Sequence, residues 1–365
     1  MPMGLILQFG RHPKLSLAEA KALFPDTKFL SRSTGESAEA DLRKVMVLGG
    51  TVRAMTEIAE DVDRGKTITD YLERTGLGKV TFGLGVLDSK LTAIQLERLG
   101  FDVKNALKSK RIAARFITKK QLLLNGATVK ANRLADKNFE FVIIGRKIAL
   151  TRAIQDIDDF SKRDYGRPCR NTKVGMLPPK LARMLVNLSR SEKIYDPFCG
   201  SGAVLQEAVL VNKEAWGSDI SQEMADCTNK NLEWLASNYR LEVKPHQAWA
   251  ADATEINSLP ERRAAIVTEG FLGPALLKKP GSNDEQEALS KLNAIYSDFL
   301  QSVSRTNVSR LIICSPYYVG SEKGLNIVDF ADRLGYNIIP VIGETSYVYH
   351  RPDQFVGREI FILER

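Results

Sequence analysis

Three aspartates in the second half of the chain, Asp196, Asp219 and Asp252, each close a short apolar run. The first leads into Pro197-Phe198-Cys199-Gly200-Ser201-Gly202, followed by a helical pattern from Ala203. A strand, a glycine-rich turn and a helix together make a ligand cradle. Glycine lets the backbone turn sharply and approach a ligand, and the helix start offers unpaired N–H groups at the positive end of its dipole. Asp219 falls 17 residues after Gly202. In a doubly wound sheet that spacing puts a carboxylate, followed by Ile220, at the crevice, where it can accept from both hydroxyls of a ribose. Asp252 and Ala253 close the third run. For any one aspartate, helix N-capping is the competing explanation. A fourth run ends in Thr268-Glu269-Gly270-Phe271-Leu272-Gly273-Pro274. Here a carboxylate at a strand end is followed by a glycine and an aromatic residue. A dinucleotide reading requires a third glycine, and Leu205 stands in its place.

Alternating elements must position these groups. Strands are expected at 192–198, 214–221, 246–254, 263–274 and 310–318, then at NIIPVIG and REIFILE. Helical patterns lie between them, the longest at 284–303. This is a seven-stranded doubly wound α/β sheet. Ahead of it the pattern predicts a small α+β, ferredoxin-like region over 1–88. Its expected strands are 4–9, 45–50 and 80–87, and its expected helices are 16–24, 53–62 and 68–76. Ser16 and Glu19 have capping-box spacing. KLTAIQLERLGF is an amphipathic helix with Gly100 as its stop.

The chain has 365 residues and a net charge of +8. The charge is uneven, for residues 101–190 hold 21 Lys/Arg against 7 Asp/Glu. One basic segment beside an acidic remainder points to a polyanion partner, nucleic acid first. The alternative is a set of solvated basic faces. No apolar run approaches the ~20 residues of a membrane span, and the start reads as a strand rather than a signal peptide. The four cysteines have no CxxC pair, which argues against a zinc site or a disulfide framework and fits a reducing cytoplasm. No metal is expected, and a monomer is preferred.

YDPFCGSGAVLQEA (195–208) resembles the first S-adenosylmethionine (SAM) motif of Rossmann-like methyltransferases, in the branch that methylates nucleic-acid amino groups. Residues 89–158, with KSKRIAARFI, LNGATVKANRL and IALTRAIQDID, resemble a THUMP domain, the RNA-binding module of tRNA-modifying enzymes. RDYGRP followed by GMLPPKLA, and RPDQFVGREI near the end, are similar to the tRNA guanine-N2 methyltransferases of archaea and eukaryotes. The resemblance implies a linker at 159–180 and a methyltransferase domain at 181–365. It implies SAM held by Asp196, Pro197, Phe198, Cys199, Gly200, Ser201, Gly202, Asp219, Ile220, Asp252 and Ala253, with Met176 and Pro178 nearby. Glu269, Gly270 and Phe271 would carry catalysis. Basic positions Lys108, Lys110, Arg111, Arg115, Lys119, Arg163, Arg167 and Arg351 would contact tRNA, with Arg358 a further candidate for phosphate or base contact.

One departure is plain. Such enzymes usually carry Asp/Asn/Ser-Pro-Pro-Tyr at the end of the fourth strand, whereas this chain has both prolines replaced and a longer acid. Glu moves the acceptor by about 1.5 Å, one bond length, and a misplacement near 1 Å can cost about 100-fold in rate. Ser315-Pro316-Tyr317-Tyr318 is similar to a displaced version of the motif, but it follows the fifth strand, on the wrong side of the fourth, which counts against it. Two alternatives therefore stand beside tRNA guanine-N2 methylation: an RNA-binding protein that binds SAM but has lost transfer, and a DNA or protein amino-group methyltransferase.

Overall fold

A computed structural model describes residues 4–60, 62–118, 121–170, 176–241, 246–274, 276, 278–352 and 354–365. The chain divides into two units, Met1–Asp158 and Asp159–Arg365.

The first unit is built on β1 (Leu5–Phe9), β2 (Lys28–Phe29), β3 (Thr34–Ser37), β4 (Thr51–Glu60), β5 (Lys79–Leu87), β6 (Ala113–Ile117), β7 (Glu140–Ile144) and β8 (Lys147–Ile154). Its helices are α1 (Pro13–Leu23), α2 (Leu42–Val45), α3 (Arg64–Glu73), α4 (Ala93–Ser109) and α5 (Gly126–Ala131). The strands form one sheet in the order β2-β3-β1-β4-β8-β7-β5-β6. The expected boundary at residue 88 does not divide it. β5, before that point, pairs in parallel with β6 and β7 after it. One core of Phe82, Leu84, Val103, Leu107 and Phe141 spans both sides.

Local expectations also shift. Helix α1 starts at Pro13, whose missing N–H costs nothing at a helix start, so Ser16 is not its N-cap. Glu19 instead turns inward and accepts from Gly49 N and Gly50 N at 2.7 and 2.8 Å. That holds 46–50 as a turn, and the strand expected at 45–50 begins only at Thr51. The segment expected as a helix at 53–62 is β4, because β1 and β8 flank it on both sides and pairing overrides its periodicity. Gly100 does not stop α4. It lies inside the helix, where a Cβ would overlap the Phe116 ring.

The second unit begins in α6 (Ile157–Tyr165) and continues with α7 (Pro179–Leu188), β9 (Lys193–Asp196), α8 (Ala203–Leu210), β10 (Glu214–Asp219), α9 (Gln222–Tyr239), β11 (His246–Ala250), a 3₁₀ turn (Ala253–Glu255), β12 (Ala265–Glu269), α10 (Ser282–Ser304), β13 (Arg310–Tyr318), α11 (Ile327–Arg333), β14 (Asn337–Ile338), β15 (Tyr347–Tyr349) and β16 (Val356–Glu364). Its sheet runs β11-β10-β9-β12-β13-β16-β14, with β15 added on β16. β9 to β13 are mutually parallel and β16 is antiparallel to β13. The strand order reverses at β9, which has β10 on one side and β12 on the other. That is the switch point where such sheets hold ligands.

The expected linker is partly structure. Within it, Arg163 donates to Glu207 Oε1 at 2.6 Å, and Arg183 meets Glu207 Oε2 at 2.7 Å. Arg163 also pairs with Asp159, which accepts from Tyr239 Oη at 2.6 Å. Arg163 and Glu207 are both at most 2% exposed. Removing one member of such a cluster strands buried charge. Glu207→Ala should therefore cost about 3–5 kcal/mol, measured by urea denaturation; a loss below about 1 kcal/mol would mean that water compensates the arginines.

Candidate active site

The parallel strands carry their C-terminal ends to one edge. β9 ends at Asp196, β10 at Asp219 and β12 at Glu269. After β9 the chain makes a tight turn, with Cys199 N donating to Ser218 O at 2.9 Å and Gly202 N to Cys199 O at 2.7 Å. Gly200 and Gly202 have φ of +52° and +81°. Gly202 is the N-cap of α8, and a Cβ there would lie 2.8 Å from Thr228 Cγ2. At Gly200 a Cβ would meet nothing nearer than Phe198 O at 4.0 Å.

Helix α9 grips the turn from behind. Thr228 Oγ1 donates to Gly200 O at 2.8 Å, and Asn231 Nδ2 donates to Ser201 O at 2.8 Å. Asn231 also bonds Cys169 through both its backbone N and O. Cys169 is joined to Cys227 on α9 by a disulfide, with Cα atoms 5.5 Å apart. This corrects the expectation of no disulfide. Spacing along the chain does not show that the segment at 169 returns to α9. Cys199 and Cys314 are buried free thiols.

The carboxylates sit in different environments. Asp219, half-buried, accepts from Gly200 N and Ser221 N, both at 3.0 Å, so it holds the glycine turn. Ile220 beside it is 76% exposed. Asp252 caps the 3₁₀ turn, accepting from Thr254 N at 2.8 Å and Thr254 Oγ1 at 2.7 Å. Ala253 is buried and its carbonyl accepts from Ser302. Asp196 is buried. Its Oδ1 accepts from Thr268 Oγ1 at 2.6 Å and from Phe198 N at 3.1 Å. Burial pushes its carboxyl up to about 8 against those two hydrogen bonds, and the charges of Asp219 and Glu269 add to the rise.

Glu269 is also mostly buried. Burial raises its pKa, opposed by Arg358, whose Nε donates to Oε1. Arg358 lies on β16, is buried, and reaches Met176 O at 3.4 Å. It is thus internal and does not present itself to a phosphate or base, which corrects its expected role. The contact also brings Met176 to the Glu269 end of the site. Pro178 is half-buried, as the residue before α7. Phe271 is 46% exposed.

Two more expected RNA contacts are corrected. Arg163 is sequestered by Glu207 and Asp159, and buried Arg167 donates to Met176 Sδ at 3.2 Å. Arg351 is exposed. In the first unit Lys108, Arg111 and Arg115 are exposed, whereas Lys110 pairs with Glu73 and Asp70. Lys119 lies outside the described residues. Among the described residues, no group of three His, Cys, Asp or Glu could hold a metal, and no helix is long and apolar enough to cross a membrane. Thr228 and Asn231 support the site without any motif to mark them; Thr268 had a positional signal beside Glu269, and Arg358 was marked by its motif but for a different role.

Strand order and glycine turn define a Rossmann-like methyltransferase fold. Residues 167–317 match the family model described as RMKL-like, methyltransferase domain. A probable tRNA (guanine(10)-N2)-dimethyltransferase of Methanothermococcus thermolithotrophicus is 46% identical over 188 residues, 51% of this chain and 86% of that protein. The tRNA (guanine(10)-N2)-dimethyltransferase of Pyrococcus abyssi is 28% identical over 228 residues, 61% of this chain. The chain spans 60% of that relative's length, and 51% of the corresponding protein of Methanothermobacter thermautotrophicus. Among solved structures, TrmN from Thermus thermophilus matches with a TM-score of 0.53 and 16% identity, covering 100% of this chain and 99% of its own, which shows the fold. The chain belongs to the tRNA guanine-N2 methyltransferase family.

Asp196 gives a pH prediction. Its folded value of about 8 is above the ordinary 3.8, so between these values the folded state holds the proton more tightly. The group's stabilisation is complete below about pH 4 and is lost as pH rises towards 8. Asp196→Asn, which keeps an acceptor for Thr268 and Phe198, should raise the melting temperature at pH 7–8 by about 2–4 °C or more, about 1 kcal/mol. The gain should vanish near pH 4. Melting curves from pH 4 to 9 check this, and a pH-independent difference would remove Asp196 as its source.

Proposed function

We propose that this chain is a SAM-dependent tRNA methyltransferase acting on the exocyclic N2 amino group of a guanosine. The observation that carries the reading is the placement of Glu269 and exposed Phe271 at the end of β12, the direct parallel neighbour of the β9 strand that carries the glycine turn. A cofactor cradle and an amine-accepting end are thereby adjacent on one sheet edge. The names of the relatives favour guanosine 10 and two methyl groups.

The residues fit SAM. A Cβ at Gly200 would meet nothing nearer than Phe198 O at 4.0 Å, Asp219 ends β10 beside the turn where it would hold a ribose, and Ile220 is an exposed apolar neighbour. Asp196, Asp219 and Glu269 give the edge hydrogen-bond acceptors, suited to a cofactor that carries an ammonium group and ribose hydroxyls. When bound, SAM supplies an electrophilic methyl group.

The chain's own part is alignment. Guanine presents N1–H and N2–H side by side, and a carboxylate accepts from both. Adenine puts a lone pair at N1 and would be repelled. Arg358 opposes the rise that burial imposes on the Glu269 carboxyl and leaves Oε2 free of that contact. Phe271 stacks on the base. No strong base is needed, because holding the amine with its lone pair aimed at the methyl group is worth several kcal/mol. Exposed Lys108, Arg111 and Arg115 give the THUMP-like first unit a basic surface for tRNA phosphates. A tRNA substrate favours a cytoplasmic monomer, and the Cys169–Cys227 disulfide withdraws the cysteine usage as support for that compartment.

Incubation of the purified chain with tRNA and labelled SAM, followed by nucleoside mass spectrometry, should yield N2-methylated guanosine. Label in uridine or ribose would overturn the base assignment. SAM binding with no modified nucleoside on several RNAs would favour the binding-only reading, which the loss of both prolines motivates. Glu269→Gln should lower kcat by about 100-fold or more, with SAM affinity unchanged within about threefold. In the native enzyme the acid limb of the kcat profile should lie above the ordinary Glu value of 4.5, with activity falling as pH falls through it. A limb below 4.5 would separate Glu269 from the reacting centre.

A further inference from the structure

The acceptor loop contains two glycines, Gly270 and Gly273, the latter with φ +88°. A loop with that freedom does not fix an amine or an aromatic ring by itself. Something outside it must do so.

One side chain touches both halves of the site. Tyr296 comes from α10 and is completely buried. Its hydroxyl lies 3.2 Å from Phe271 O and 3.3 Å from Cys314 O, so its one proton is shared between the acceptor loop and the neighbouring strand β13. Cys314 O also accepts from Gly270 N at 3.1 Å. A Cβ at position 270 would overlap the Tyr296 hydroxyl and ring, so glycine there is the condition for the phenol's approach. On its other side the ring stacks on Phe198, centroids 6.5 Å apart and 15° between planes. Phe198 belongs to the turn that leads from Asp196 into the glycines.

We infer that Tyr296 is a positioning residue for methyl transfer: its hydroxyl pins the Glu269–Gly273 loop to β13 while its ring is registered on Phe198, so that the acceptor loop and the cofactor turn are held at one spacing. Burial pushes the phenol well above its ordinary range, with Glu269 and Cys314 adding to the shift, and so keeps it protonated as a donor. The inference rests on the methyl-transfer reading for its catalytic consequence, but the clamp itself does not.

Tyr296→Phe keeps the ring and removes the clamp. Hydrogen exchange by mass spectrometry should show the peptide spanning 268–274 exchanging at least about tenfold faster, with β9 and α8 peptides unchanged. In tRNA methylation, kcat should fall about 10- to 100-fold, with the KM for SAM within about twofold. Gly270→Ala, which displaces the phenol from the other side, should reproduce both effects. The double variant should be no worse than the more impaired single variant, because both break the same contact. Native loop exchange in Tyr296→Phe overturns the clamp, whatever the activity. Faster exchange with undiminished kcat overturns the positioning role. A wild-type protein that methylates no RNA yet shows the exchange difference would leave the clamp standing and fail the methyl-transfer reading.

Discussion

Carboxylates at the end of a parallel sheet must be kept there at the cost of their hydration, and the second unit is organised around that constraint. Each acid along the edge is compensated differently. Asp219 receives two backbone N–H groups and stays half-exposed. Asp196 is enclosed with a hydroxyl and one N–H, and retains its proton to about pH 8. Glu269 is met by a guanidinium from a strand 89 positions later. Neutral, backbone-bonded and ion-paired carboxyls thus stand within one crevice, and their environments separate their chemical roles.

The same economy operates behind the edge. Glu207 projects from the first helix after the glycine turn into a dry cluster with two arginines. Such clusters add little net stability relative to apolar packing, but they tolerate no partial occupancy. Here the members come from α6, α7 and α8, so the orientation of these helices, and the N-terminus of α8 facing the cradle, is specified by charge geometry rather than by volume alone.

What could be read from sequence, and what could not, divides along this line. The glycine turn, Asp219 and the alternation of strands and helices are local: a few adjacent residues specify them, and the observed sheet follows. The strand that the sequence pattern lacks, β15 (Tyr347–Tyr349), is too short to carry a period. Arg163, Arg167 and Arg358 look like any surface arginines in sequence, because their partners lie 44, 9 and 89 positions away. β4 looked helical because its apolar spacing is ambiguous and only flanking strands decide it. Gly100 reads as a stop until the ring of Phe116 is seen against it.

The grip of Asn231 on Cys169 has a consequence for how this unit is inherited as a module. Its amide joins the backbone at 169 to the carbonyl of Ser201, and a covalent link from 169 to 227 runs beside it. The methyltransferase sheet therefore does not begin where its first strand does. A gene fusion or excision that cuts at the apparent junction near residue 180 would remove one arginine from Glu207 and leave the rear of the glycine turn without its strap. The transferable piece is 159–365, and recombination that preserves function must carry the strap along with the sheet.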